Sequence, residues 1–114
     1  MINHVVLMKF KADADEAAIE DLEQSLDQLP NTIKEILVFE IGRDVVRSER
    51  SYDFALVSLF ANLEALDRYR THPDHLKVLE KIKKLCADIV AVDFEGTDAS
   101  SLKEPTPPSD LPEW

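Results

Sequence analysis

Two stretches of this chain are apolar on both sides, and nothing else in the sequence limits its fold as much. Ile2 to Phe10 alternates as a strand does, with His4, Val6, Met8 and Phe10 on one side and Val5, Leu7 and Lys9 on the other. Tyr52 to Phe60 repeats the pattern, with Phe54, Leu56 and Phe60 opposite Ala55, Val57 and Leu59. An antiparallel sheet with one wet face should alternate apolar with polar. These two strands do not, so the sheet they build needs a cover on each face.

The remaining pattern supplies one of the covers. Asp13 and Glu16 have the spacing of a capping box. After them, Ile19, Leu22, Leu26 and Leu29 form a helical stripe that Pro30-Asn31 should end. A second strand is expected within Ile33 to Asp44, with Gly42 marking a bulge or a strand end. Asn62 is a natural cap for a helix that should stop near Thr71. Proline is welcome at the first helical position. A further helix is therefore expected from Pro73 to about Ala87, with Leu76, Leu79, Ile82 and Cys86 along its apolar stripe. Ile89 to Glu95 reads as the last strand. The order is strand, helix, strand, strand, helix, strand. That is an α+β, ferredoxin-like βαββαβ subunit with one antiparallel sheet and its helices on a single face. A second copy of the sheet is the economical cover for the other face. The expectation is a homodimer that can enclose a cavity between its sheets.

Length and charge bound the partners. The chain has 114 residues, one domain by any length prior. The folded domain should span residues 1–97, and residues 98–114 read as a proline-rich tail ending in Trp114. The formal net charge is -10, and no stripe of Lys and Arg offsets it, so neither nucleic acid nor an anionic membrane is an expected partner. Cys86 is the one cysteine, which excludes an internal disulfide. No apolar run approaches the roughly 20 residues that span a bilayer, and the N-terminus lacks a basic region ahead of its apolar run. The expected location is cytoplasmic.

The chemistry-bearing residues gather in Tyr69-Arg-Thr-His72-Pro-Asp-His75. With only two glycines, a dinucleotide fingerprint is excluded. There is no phosphate loop, no paired-cysteine metal spacing and no nucleophile elbow. His72 and His75 lack an obvious third ligand, so neither a metal nor a cofactor is expected. Tyr69 and His75 make the better pair. If the chain turns at Pro73, both can face one cavity. The positive end of a helix favours a neutral His75, able to accept a proton, while the tyrosine hydroxyl can donate to a developing oxyanion. Read from the residues alone, the alternative is that Tyr69 packs in the core while His75 caps backbone amides. His4, on the same strand face as Val6 and Met8, is either a hydrogen-bonded core histidine or a cavity-lining one.

Taken together, His4-Val-Val-Leu-Met-Lys9-Phe10-Lys11, Gly42-Arg43-Asp44-Val45, Tyr52-Asp53, Phe60, Tyr69, His72-Pro-Asp-His75 and Asp93-Phe94 resemble the stress-responsive A/B barrel domain (Dabb) family over about Ile2 to Glu95. The resemblance implies a ferredoxin-like subunit that forms a dimeric α/β-barrel. Most of that family has no assigned reaction. One plant member, olivetolic acid cyclase, closes a linear polyketide by aldol condensation without a cofactor. Its catalytic tyrosine and histidine match Tyr69 and His75, and a pocket histidine on its first strand matches His4. A further pocket histidine on its third strand corresponds to Phe54 here, which implies a less polar pocket at that point. With His72 included, the expected ligand-binding set is His4, Phe54 and His72 beside the catalytic pair. The function expected on this ground is a cavity that binds a small apolar or aromatic molecule, with cofactor-free cyclase- or lyase-type chemistry. A non-catalytic stress or structural oligomer and a cofactor-independent monooxygenase are the alternatives.

Overall fold

The computed structural model describes residues 1–96. The expected tail, and Trp114 with it, lies outside the described residues. Seven elements follow one another: β1 (Ile2–Phe10), α1 (Glu16–Thr32), β2 (Val38–Arg43), β3 (Phe54–Phe60), α2 (Leu63–Thr71), α3 (Pro73–Leu85) and β4 (Cys86–Glu95). The strands form one antiparallel sheet in the order β2-β3-β1-β4. This is the ferredoxin-like arrangement, with the three helices packed on one face. Among the described residues no helix is long and apolar enough to cross a membrane.

The two sides of the sheet divide as the alternation demands in β1 and β3, whereas β4, at the edge, is exposed on both sides after Cys86. Toward the helices, Ile2, His4, Met8, Phe54, Leu56, Ser58 and Phe60 are buried, and Leu22, Leu26, Leu29, Leu66 and Tyr69 close over them. The opposite side is apolar across three strands. Val5 sits between Val57 and Val92, Leu7 between Ala55 and Val90, and Asn3 between Leu59 and Phe94. On that side Val57, Val90, Val92 and Phe94 are exposed in the single chain.

Several boundaries depart from the sequence reading. The cap of α1 is Asp15, whose carboxylate accepts the N–H of Ala17 at 3.2 Å, because Asp13 is held in a turn by Ala14 bonding back to Lys11. The helix also runs past Pro30 to Thr32. Proline lacks only its own N–H, and so close to the helix end the ladder resumes with Ile33 bonding to the carbonyl of Leu29 at 2.9 Å. Ile33 and Ile36 are therefore helix cap and turn, and β2 begins only at Val38. On α3 the buried residues are Val78 and Ile82, while Leu76 stands 47% exposed. Cys86 is buried but opens β4, paired with Phe10 beside a register shift.

Candidate functional site

The site is built where α2 stops and α3 starts. Asn62 caps α2, its side-chain oxygen accepting the N–H of Ala65 at 2.9 Å. At the other end of that helix, Pro73 forces the residue before it out of helical conformation, and His72 accordingly sits at φ -63, ψ 135. Proline then serves as the first residue of α3. This break turns Tyr69, at the end of one helix, and His75, at the start of the next, onto each other. Their ring centroids are 4.3 Å apart.

Beneath them lies a cavity of about 200 Å³ between the sheet and the helices. Val6, Met8, Leu26, Leu56, Leu79, Ile82, Ile89 and Ala91 give it an apolar body, and His4, Tyr69, Arg70 and His75 give it a polar end. It belongs to one subunit and lies on the helix side of the sheet, not in the space between two sheets where the sequence argument placed a cavity. Ala91 lies on the helix side of the edge strand β4 beside Val6, and it lines the cavity with Leu79 and Ile82 while remaining exposed.

The hydrogen bonds fix the state of all three histidines. Nδ1 of His75 lies 3.0 Å from the carbonyl oxygen of Arg70. A carbonyl only accepts, so Nδ1 carries the proton and Nε2 keeps its lone pair. Burial holds the His75 imidazole below the usual histidine range; the bond to Arg70 opposes this, and the charges of His4, Arg70 and His72 add to it. Nδ1 of His4 bonds to a carboxylate oxygen of Asp93, so it too is protonated at Nδ1. The other oxygen of Asp93 accepts from the Arg70 guanidinium at 3.1 Å. Nδ1 of His72, by contrast, accepts the backbone N–H of Asp74 at 3.1 Å, and so carries no proton.

Tyr69 is 1% exposed and packs on Phe60 and His4 as well as His75. Burial pushes its phenol well above the ordinary tyrosine value, so it is a proton-bearing donor. Tyr69 thus does both things that the residues left open: it packs in the core and it lines the cavity. His75 does not cap backbone amides; that role falls to His72. The structure brings together His4, Tyr69 and His75. It does not bring in Phe54, which packs against Phe10 at a centroid distance of 6.0 Å and is absent from the lining of this cavity. Nor does it bring in His72, which serves its own helix end. Among the described residues, no three His, Cys, Asp or Glu side chains converge to hold a metal ion.

Arg70 and Asp93 belong to the site without having been singled out from the sequence. A signal existed for Asp93. It follows Ile89 and Ala91 on the inward face of β4, and an ionisable group there needs a partner. The strand register places it directly beside His4.

A ferredoxin-like subunit with a one-sided helical layer, an apolar cavity and a Tyr–His pair at its polar end defines the class of protein. The chain belongs to the stress responsive A/B barrel domain (Dabb) family, whose sequence pattern matches residues 2–96. It is 30% identical over 110 residues to a stress-response A/B barrel domain-containing protein of Arabidopsis thaliana, a match covering 96% of this chain and 42% of the plant protein. A second Arabidopsis protein of the same description is 27% identical over 108 residues, 92% of this chain and 51% of that one. The chain thus spans about half the length, or less, of these two curated relatives. Among solved structures it resembles a dimeric ferredoxin-like protein of unknown function from Thermobifida fusca. That likeness has a TM-score of 0.76 at 31% identity, over 82% of this chain and 88% of that one. A hydroxynitrile lyase from Passiflora edulis shares the fold at a TM-score of 0.74 and 18% identity, over 82% of this chain and 90% of that one.

Proposed function

We propose that this protein is a homodimer in which each subunit binds a small, largely apolar or aromatic molecule and acts on it by cofactor-free acid–base chemistry. One observation carries the chemical part. His75 and Tyr69 line the polar end of an otherwise apolar cavity with their rings 4.3 Å apart, and the bond of Nδ1 to Arg70 leaves Nε2 as the nitrogen of His75 that can take a proton. The unprotonated Nε2 takes a proton from carbon next to a carbonyl group. The resulting enolate oxygen is met by the Tyr69 hydroxyl. His4, held by Asp93, offers a second nitrogen at the same end. The carbanion can then close onto a second carbonyl of the same molecule, whose oxygen takes back the proton from Nε2 of His75 as the new carbon–carbon bond forms, which is cyclase- or lyase-type chemistry.

The dimer rests on the outward face of the sheet. Val57, Val92 and Phe94 stand 39%, 62% and 48% exposed in the single chain, in a band with Val5 and Leu7. A contiguous apolar face of this width marks an interaction surface. The Thermobifida fusca protein of the same fold is dimeric, which supports the same cover here.

The test is hydrogen–deuterium exchange at the α-carbon of short alkyl and aryl β-dicarbonyl compounds in D2O, followed by NMR. Exchange should be faster with the protein than with buffer, and His75→Ala should remove the acceleration. Binding without any exchange above the His75→Ala level would leave a non-catalytic binding protein, the alternative among stress or structural oligomers.

A further inference from the structure

We propose that His72 is the positioning residue of this site, setting the direction and tautomer of His75 through the start of α3. The proposal builds on the Tyr69–His75 pair but does not require turnover, so it can fail while the proposed chemistry stands.

His72 is the single residue between the two helices, and it is bonded to both. Its N–H donates to the carbonyl of Tyr69 at 3.1 Å, and its own carbonyl accepts from Leu76 at 3.0 Å. Its ring nitrogen Nδ1 accepts from Asp74. Pro73 fixes the backbone between these bonds. His75 stands three residues further on, in the first turn of α3, where its own direction depends on how that turn is anchored. From there it reaches back across the junction to the carbonyl of Arg70. The cap at His72 and the bond from His75 to Arg70 therefore close the junction from its two sides. Loosening the first frees the helix start that aims the second.

An imidazole is an unusual choice for this task. Ser, Thr, Asp and Asn are the ordinary caps, and each accepts a backbone N–H at any pH near neutrality. An imidazole nitrogen cannot both accept that bond and carry a proton. Once protonated, His72 has a different partner at hand, the carboxylate of Asp74, whose Oδ2 lies 3.9 Å from Nδ1. The other ionisable groups around the junction are Arg70 with its neighbour Asp67 on α2, His75 itself, and His4 with Asp93 on β1 and β4. The groove beside Asp74 holds Lys77 and Lys81 of α3, and receives Ser25, Gln28 and Thr32 from α1, none of these three ionisable. The cap is thus present only while His72 is neutral.

The experiment uses the full chain and needs no ligand. Long-range nitrogen–proton NMR correlations of the imidazole rings read the tautomer of His75 directly, and amide exchange reads the first turn of α3. In the wild type near neutral pH, His75 should be the Nδ1–H tautomer. His72→Asn should keep that tautomer, because asparagine also caps. His72→Ala should give a mixture of tautomers and lower the protection of the first-turn amides about five-fold, the equivalent of a lost cap. His72→Val, which cannot accept the Asp74 N–H, should behave as His72→Ala does. If His72→Ala does not fold, the comparison of His72→Val with His72→Asn decides. An unchanged His75 tautomer in the variants without a cap, or protection in them equal to that of His72→Asn, overturns the proposal.

Discussion

His75 donates through Nδ1 to the carbonyl oxygen of Arg70, 3.0 Å away, and this bond decides which ring nitrogen the cavity receives. Burial also keeps the imidazole below its ordinary value. A histidine whose folded value lies below its unfolded one makes the fold more stable above the unfolded value, about pH 6.5. That stability is lost as pH falls through the folded value. NMR titration of the His75 ring should therefore give a midpoint below that of an exposed histidine. Thermal unfolding should show a melting temperature that falls on acidification below about pH 6.5, with a shallower fall in His75→Gln.

Tyr69 should behave as a phenol throughout the accessible pH range. Its shift upward comes from burial alone. Tyr52 is also raised, chiefly by its hydrogen bond to Asp88. In Tyr52→Phe, absorbance near the tyrosinate band should report Tyr69 only. No ionisation should appear around pH 10, the ordinary tyrosine value, before alkaline unfolding. Tyr69→Phe should leave the fold intact and slow any true reaction by about 10- to 1,000-fold, the range expected for one donor at a developing oxyanion.

Leu56 and Val57 are neighbours in sequence and lie on opposite sides of the sheet, 2% and 39% exposed. Val57→Asp should yield a folded monomer in sedimentation experiments, since a charge buried at an interface without a partner is costly. Leu56→Asp should fail to fold, because the charge would enter the core. A folded dimer of Val57→Asp would show that the second copy sits elsewhere.

The alternation of β1 and β3 was enough to read the sheet and its need for a cover on each face, but not which face the helices take. Asn62 and Pro73 marked helix starts because capping and the fixed φ of proline are local effects. Asp15 was missed for Asp13 because two acidic residues lay within reach, and the turn at Ala14 decided between them. Of the site, Tyr69 and His75 were legible through the break at Pro73, and His4 through its strand face. Phe54 was placed with them through the family resemblance and His72 through its place beside Pro73, and neither ground can tell a side chain aimed at a cavity from one turned to a backbone N–H or packed on Phe10. Asp93 stood out only as an ionisable group on the helix side of its strand, and its partnership with His4 and Arg70 was not legible, because it needs the pairing of β1 with β4 and the angle of α2 over the sheet. These are long-range relationships that no local pattern encodes.

Ala91 offers the sharpest test of whether the cavity serves a ligand or is merely slack packing. It lies on the helix side of β4 in register with Val6, with Ile82 and Leu79 around the same space. Ala91→Leu places three more carbons into a cavity of about 200 Å³. Ala91 is exposed where the cavity meets the edge strand β4, so the added carbons enter open space, the melting temperature should hold, and the dimer should be unaffected. The bonds of His75 and His72 are made within the junction of α2 and α3, so the NMR tautomers of these two rings should stay as they are. If the cavity is a binding site, affinity for the β-dicarbonyl compound that binds the wild type best should fall at least about ten-fold, a loss of about 1.4 kcal/mol, because the apolar body of the ligand has lost its room. Isothermal titration of wild type and variant measures this directly. Equal affinity in the two proteins would place the ligand outside this cavity and separate Tyr69 and His75 from it.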